Sequence, residues 1–156
     1  MNVALHQSSI DDSLRAMEFL EQSNFDVLEM KVHVLSGLVL AIVSDYELSI
    51  EKLFNDRAAK ANDHHFAEFI RQTIHQKFRS PDINKITMTL GRFGDDYRLA
   101  FASILNTPEH AAWDNLLRAR HAIVHRQGIL QMTLRDLRDE LPRTVAIYAR
   151  LREVLG

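Results

Sequence analysis

The chain has 156 residues, 46% of them hydrophobic, and a formal net charge of −2. That is enough apolar material for a buried core and too little charge imbalance for a disordered chain or a blanket polycation, so any nucleic-acid contact must use a local basic surface. The absence of cysteine excludes disulfides, thiolate metal sites and cysteine nucleophiles, and the length suits a single domain over residues 1–156.

Five glycines and three prolines edge the apolar patterns without clustering, and the periodicity is helical nearly throughout. Ser8 or Ser9 can cap a first helix with Ile10, Leu14, Met17 and Leu20 along one side. A second pattern runs from Asp26 to Ala59. From Val27 to Val43 it is apolar on most faces, which predicts a central helix buried on several sides. Beyond Ser44 it narrows to a stripe through Tyr46, Ile50, Leu53 and Phe54. The longest apolar run, Val34 to Val43, falls well short of the roughly 20 residues a membrane span needs. Asp11 and Asp12 stand where a secretory signal would be basic and then apolar, so a cytoplasmic protein is expected.

A third helix carries Phe66, Phe69, Ile70, Ile74 and Phe78, with His64 and His65 facing solvent at its start. Ser80-Pro81-Asp82 reads as a cap followed by proline in the first turn, opening a helix with Ile83, Ile86 and Leu90 that Gly91 and Gly94 break. Asp95 or Asp96 starts another with Tyr97 and Phe101. Thr107-Pro108 repeats the cap-and-proline signal, and the helix it opens carries Trp113, Leu116, Leu117, Ile123 and Val124, with Gly128 as its stop. Trp113, at helical spacing, reads as core. Ile129 to Thr133 is the one short strand-like run, and it has no partner. Thr133 with Asp136 resembles a capping box, starting a last helical region through Leu134, Leu137, Leu141, Val145, Tyr148 and Leu151 that Pro142 should kink or split. The expectation is an all-α antiparallel bundle of about six to seven helices.

Chemistry concentrates in the run from Arg118 to His125. A guanidinium can hold a phosphate bidentately, and an imidazole titrates near neutral pH and can move a proton. Together they suffice to cut an RNA backbone without a metal. Spacing alone says little. With 14 Arg and 8 His, an arginine followed by about four to six residues and then a histidine arises roughly twice by chance. The chain has three matches: Arg57 to His64, Arg118 to His125 and Arg120 to His125.

Helix geometry sorts the members. Arg118, His121 and His125 share one face. Arg120 and His125 lie about 140° apart around the axis and about 7.5 Å along it, so one straight helix does not aim both at one phosphate. The geometry closes if the helix ends near Val124 and His125 swings free, or if two copies meet about a two-fold axis and share the site. Metal binding is the rival chemistry, since His121 and His125 have ligand spacing, and His64, His65 and His110 could add to them. Ala122 stands where a zinc protease motif needs glutamate, and no third ligand is tied to the pair by spacing, so neither a metal nor another cofactor is expected.

The segment from Trp113 to His125 resembles the signature region of HEPN domains, all-helical RNases and RNA-binding modules. Their motif is arginine, a polar residue, a few mostly apolar residues and histidine. Arg120-His121-Ala122-Ile123-Val124-His125 fits it fully. Arg57 and Arg118 are each followed by alanine and do not. Ser44-Asp45-Tyr46-Glu47 is similar to the family's upstream helix, which often carries a glutamate after an aromatic residue. Phe93-Gly94-Asp95-Asp96-Tyr97 followed by Trp113 is similar to the RiboL-PSP-HEPN subgroup. The likeness spans about Lys31 to Leu151. Arg126 and Gln127 separate His125 from Gly128, where many members have glycine at once, which puts the turn after the helix later here.

The resemblance implies a metal-independent endoribonuclease, homodimeric through the motif helices. Its products would carry 2′,3′-cyclic phosphate and 5′-hydroxyl ends. His125 would act as general base and Arg120 would hold the scissile phosphate. His121 would orient its neighbours or protonate the leaving oxygen, and Glu47 would set an imidazole's tautomer. Arg118 and Arg126 would grip flanking phosphates. The resemblance also implies toxin–antitoxin or antiviral growth arrest, with a cognate antitoxin as partner. The alternative is a non-catalytic dimer module of the same fold that binds RNA or protein.

Overall fold

The structure, a computed structural model, describes residues 11, 15, 18, 19, 22, 28–78, 80–125 and 131–156, the side chains of 28, 29 and 77 excepted. Six longer helices and no strand occur among them. These are α1 (Leu28–Ala59), α2 (His64–Lys77), α3 (Ile83–Phe93), α4 (Asp95–Phe101), α5 (Pro108–Val124) and α6 (Leu134–Leu155), with a 3-10 turn at Ala102–Ile104. Asp11, Arg15, Glu18, Phe19 and Gln22, the described residues of the first expected helix and its end, are helical. Ile10, Leu14, Met17 and Leu20 lie outside the described residues, as does Gly128.

The helices start where short polar side chains satisfy the free N–H groups of a first turn. Asp63 accepts from the Phe66 N–H at 3.0 Å to open α2, and Thr107 accepts from the His110 N–H at 3.3 Å to open α5, with Pro108 in the first turn. Thr133 and Asp136 form a reciprocal capping box at the start of α6.

The fold is all-α, with α1 as its spine. α1 packs on α2, α5 and α6, α5 pairs with α6, and α3 pairs with α4. Two apolar clusters lie along the spine. In the first, Leu35, Val39 and Ile42 of α1 meet Leu116 and Ala119 of α5 and Leu134, Leu137 and Leu141 of α6. In the second, Ile50 and Phe54 gather Ile74, Ile86, Phe101, Trp113 and Ile147 from the other five helices. Each fully buried aliphatic or aromatic side chain contributes roughly 1.5–3 kcal/mol. Because Leu35 and Ile123 border the same cluster, the start of α1 and the end of α5 lie at one end of the molecule.

Several local expectations are corrected. The first half of α1 is buried along one stripe, not on several sides: Met30 and Val32 are 50% and 41% exposed, since α5 and α6 cover one flank. By length and composition, Met30–Ala59 is apolar enough to cross a membrane, although the run from Val34 to Val43 alone is too short. Phe66 and Phe69 on α2 are exposed, while Ile74 and Phe78 are buried. Asp82, not Ser80, caps α3, accepting from the Lys85 N–H at 2.7 Å, so Pro81 precedes the helix. Ser80 instead takes φ 65°, and the Pro81 carbonyl accepts from Trp113 Nε1 at 2.8 Å. Gly91 does not break α3. Gly94 alone does, with φ 157° and an added Cβ that would fall 2.4 Å from Asp96 Oδ1. Pro142 does not split α6, whose apolar face (Leu137, Leu141, Thr144, Ile147, Leu151) is buried on both sides of it. That packing offsets the roughly 3 kcal/mol an interior proline costs. Residues 131–133 form no strand.

Tyr46 ties the two clusters together. Its ring lies 4.9 Å from Trp113 and 6.3 Å from Tyr148. The Thr144 hydroxyl donates to the Leu141 carbonyl, so it accepts from the Tyr46 hydroxyl at 3.0 Å. Burial pushes the Tyr46 phenol up to about 12. A pKa raised on folding stabilises fully below the unfolded value near 10, and the gain is lost as pH climbs to about 12. Tyr46→Phe should cost about 1 kcal/mol at neutral pH and remove an alkaline loss of up to roughly 3 kcal/mol between those pH values, read from urea unfolding of both proteins across that range.

Candidate functional site

Glu47, Arg118, Arg120, His121 and His125, singled out in the sequence, lie on or against the last two turns of α5. The helix ends at Val124, with His125 as its C-cap at φ −93°, ψ 5°. The His125 N–H still donates to the His121 carbonyl at 3.0 Å, so the backbone keeps to the helical path and does not swing free. Both imidazoles are exposed, and their rings lie 4.2 Å apart, tilted by 49°. The i, i+4 relation stacks the two titratable groups on one face at the helix tip.

Arg120 points to a different side, into the junction of α5, α1 and the turn before α3. Its Nη2 lies 3.6 Å from Glu47 Oε1, with the two side chains 25% and 22% exposed. The same carboxylate oxygen accepts from the Ser80 N–H at 2.8 Å. At 3.6 Å the arginine and glutamate form an ion pair without a direct hydrogen bond, which leaves guanidinium donors for another acceptor. Glu47 thus meets Arg120 and backbone where the sequence led us to expect an imidazole. It balances a partly buried cation and holds Ser80 in its left-handed conformation, which costs a non-glycine residue about 1–2 kcal/mol.

Arg118 and His121 line a cleft of about 480 Å³ between α5 and α6, together with Asn115, Gln131, Asp136 and Glu140. Two carboxylates therefore face Arg118. Asp136 is held below its usual range by the Thr133 hydroxyl and then the Thr133 N–H, and Glu140 accepts from Asn115 Nδ2 at 2.6 Å. The cleft has mixed charge, which weakens the pull of Arg118 on a phosphate. Arg126 lies outside the described residues.

The structure brings His121 to His125, His121 to Arg118, and Arg120 to Glu47. It records no contact between Arg120 and His125 within one chain. Sequence reasoning missed Ser80, Asn115, Asp136 and Glu140 as neighbours. Asn115, Arg118 and Ala122 do show helical spacing toward one stripe, but only packing reveals that α6 answers it with carboxylates.

Glu47→Gln keeps an acceptor for the Ser80 N–H and removes the charge facing Arg120, so stability should fall by less than about 1 kcal/mol. Glu47→Ala removes both and should cost about 1–3 kcal/mol. Denaturant unfolding of the two variants checks this, and equal losses would show that the Ser80 bond carries none of the difference. Compared with known proteins, the chain gives no significant match to any family model, curated sequence or solved structure.

Proposed function

We propose that the chain is a metal-independent endoribonuclease whose site is completed when two copies pair through the ends of their α5 helices. The observation that carries this reading is the exposed His121–His125 pair, rings 4.2 Å apart at a helix tip, beside an arginine whose donors are not used up by its carboxylate partner. Exposed apolar side chains lie at the same end, with Val124 48%, Met30 50% and Val32 41% exposed, and supply material for self-association. Pairing about a two-fold axis would set Arg120 of one protomer against His125 of the other, which a single helix does not achieve.

The chemistry follows from the groups. A neutral His125 takes the proton of a ribose 2′-hydroxyl. The 2′-oxygen attacks the adjacent phosphorus, and the P–O5′ bond breaks. The 5′-oxygen leaves with a proton from a cationic imidazole, the role His121 would fill. Arg120 stabilises the extra negative charge of the transition state, with Glu47 positioning it until phosphate competes. The products are a 2′,3′-cyclic phosphate and a 5′-hydroxyl. A growth-arrest role with a cognate antitoxin rests on the family resemblance alone.

The separation of Arg120 from His125 within one chain favours a second reading, a non-catalytic dimer module that binds RNA or protein. The two readings diverge in solution. The enzyme should cut RNA in EDTA, leave cyclic phosphate ends, and lose at least about a hundredfold in rate in Arg120→Ala and in His125→Ala while both remain folded. It should also be toxic on expression, with relief by His125→Ala. A binding module would retain RNA uncut, with affinity falling steeply as salt rises. A harmless wild type inert toward several RNAs would overturn the nuclease.

A further inference from the structure

A second cavity, of about 510 Å³, opens where the end of α1 meets α2 and the α3–α4 corner. Its size falls among small-molecule sites. Phe69, Ile70 and Phe93 form an apolar wall, and Phe69 is 64% exposed although it stands on the face of α2 that should be covered. The charged residues of the lining are all cations, Arg57, Lys60 and Arg92, with no carboxylate among them.

Arg57 is the informative one. It is half-buried, and its Nη2 donates to the Tyr97 hydroxyl while its Cζ lies 5.1 Å from the centre of the same ring. Among the described residues no carboxylate pairs with it. Lys60 donates to the backbone oxygen of Gly156. A partly buried guanidinium without a counter-charge is costly, and most of its five donors remain unused. Elsewhere in the fold arginines do find carboxylates, as Arg71 finds Glu68 and Arg98 finds Asp95.

We infer that this cavity binds a small amphiphilic anion, an aromatic or branched apolar body bearing one carboxylate or phosphate. The body would sit against Phe69 and Phe93, and the head would meet the Arg57 fork with Arg92 at the rim. Walls from three sides make a pocket for a compact ligand, not a groove for an extended chain. The inference does not rest on the nuclease reading, since Arg57 takes no part in it.

Calorimetric titration of the full chain tests this with four probes: 4-phenylbutyrate, phenyl phosphate, 4-phenylbutanol and butyrate. One or both charged aryl compounds should bind one site per chain, and the tighter of the two identifies the head group. The alcohol, lacking the charge, and butyrate, lacking the ring, should bind at least about tenfold more weakly. Arg57→Gln should weaken the charged ligand by about tenfold. Arg92→Gln, at an exposed position where folding is not at stake, should weaken it by a smaller factor. Thermal unfolding of both variants separates lost binding from lost structure. Equal affinity for alcohol and acid, wild-type affinity in both variants, or no binding of either charged aryl compound would each overturn the proposal.

Discussion

The packing of Tyr46 on Trp113 is the contact from which the rest of the structure follows. Tyr46 comes from the spine helix α1 and Trp113 from the first half of α5. The phenol hydroxyl reaches Thr144 on α6, and the indole N–H reaches the Pro81 carbonyl in the turn before α3. Two large rings thus bury most of their surface and still satisfy both polar tips. The pair fixes α1, α5, α6 and the start of α3 relative to one another at the boundary between the two apolar clusters.

The candidate site takes its shape from that junction. Glu47 follows Tyr46 by one residue, and Ser80 precedes Pro81 by one, so both backbones are set by the aromatic pair. Glu47 therefore stands where one oxygen holds the Ser80 N–H and faces Arg120 two turns along α5 from Trp113. The arginine is held by a charge, not by a hydrogen bond. It is oriented yet able to accept a better partner. The imidazoles carry no such support, standing in solvent at the helix tip.

The two cavities differ in the balance of their walls. Between α5 and α6, Arg118 shares its cleft with Asp136 and Glu140, so carboxylates outnumber the cation. Between α1, α2 and α3, Arg57, Lys60 and Arg92 line a cavity with aromatic rings and no carboxylate side chain, so an anion can meet Arg57 without displacing a partner.

By itself the sequence determined the helical class, the span of α1, the caps at Thr107 and Thr133, and Trp113 as a core residue, because apolar period and capping chemistry act over a few neighbouring residues. It also placed Arg118, His121 and His125 on one face, since that follows from helix geometry alone. The tertiary structure decided what those faces meet. Pro142 is carried through α6 by packing on both sides of it, and Asp82 displaces Ser80 as a cap because Glu47 and Trp113 claim the turn before it. Glu47 facing Arg120, two carboxylates facing Arg118, and Arg57 opening on an apolar cavity all depend on contacts between residues far apart in the chain, which no local pattern encodes.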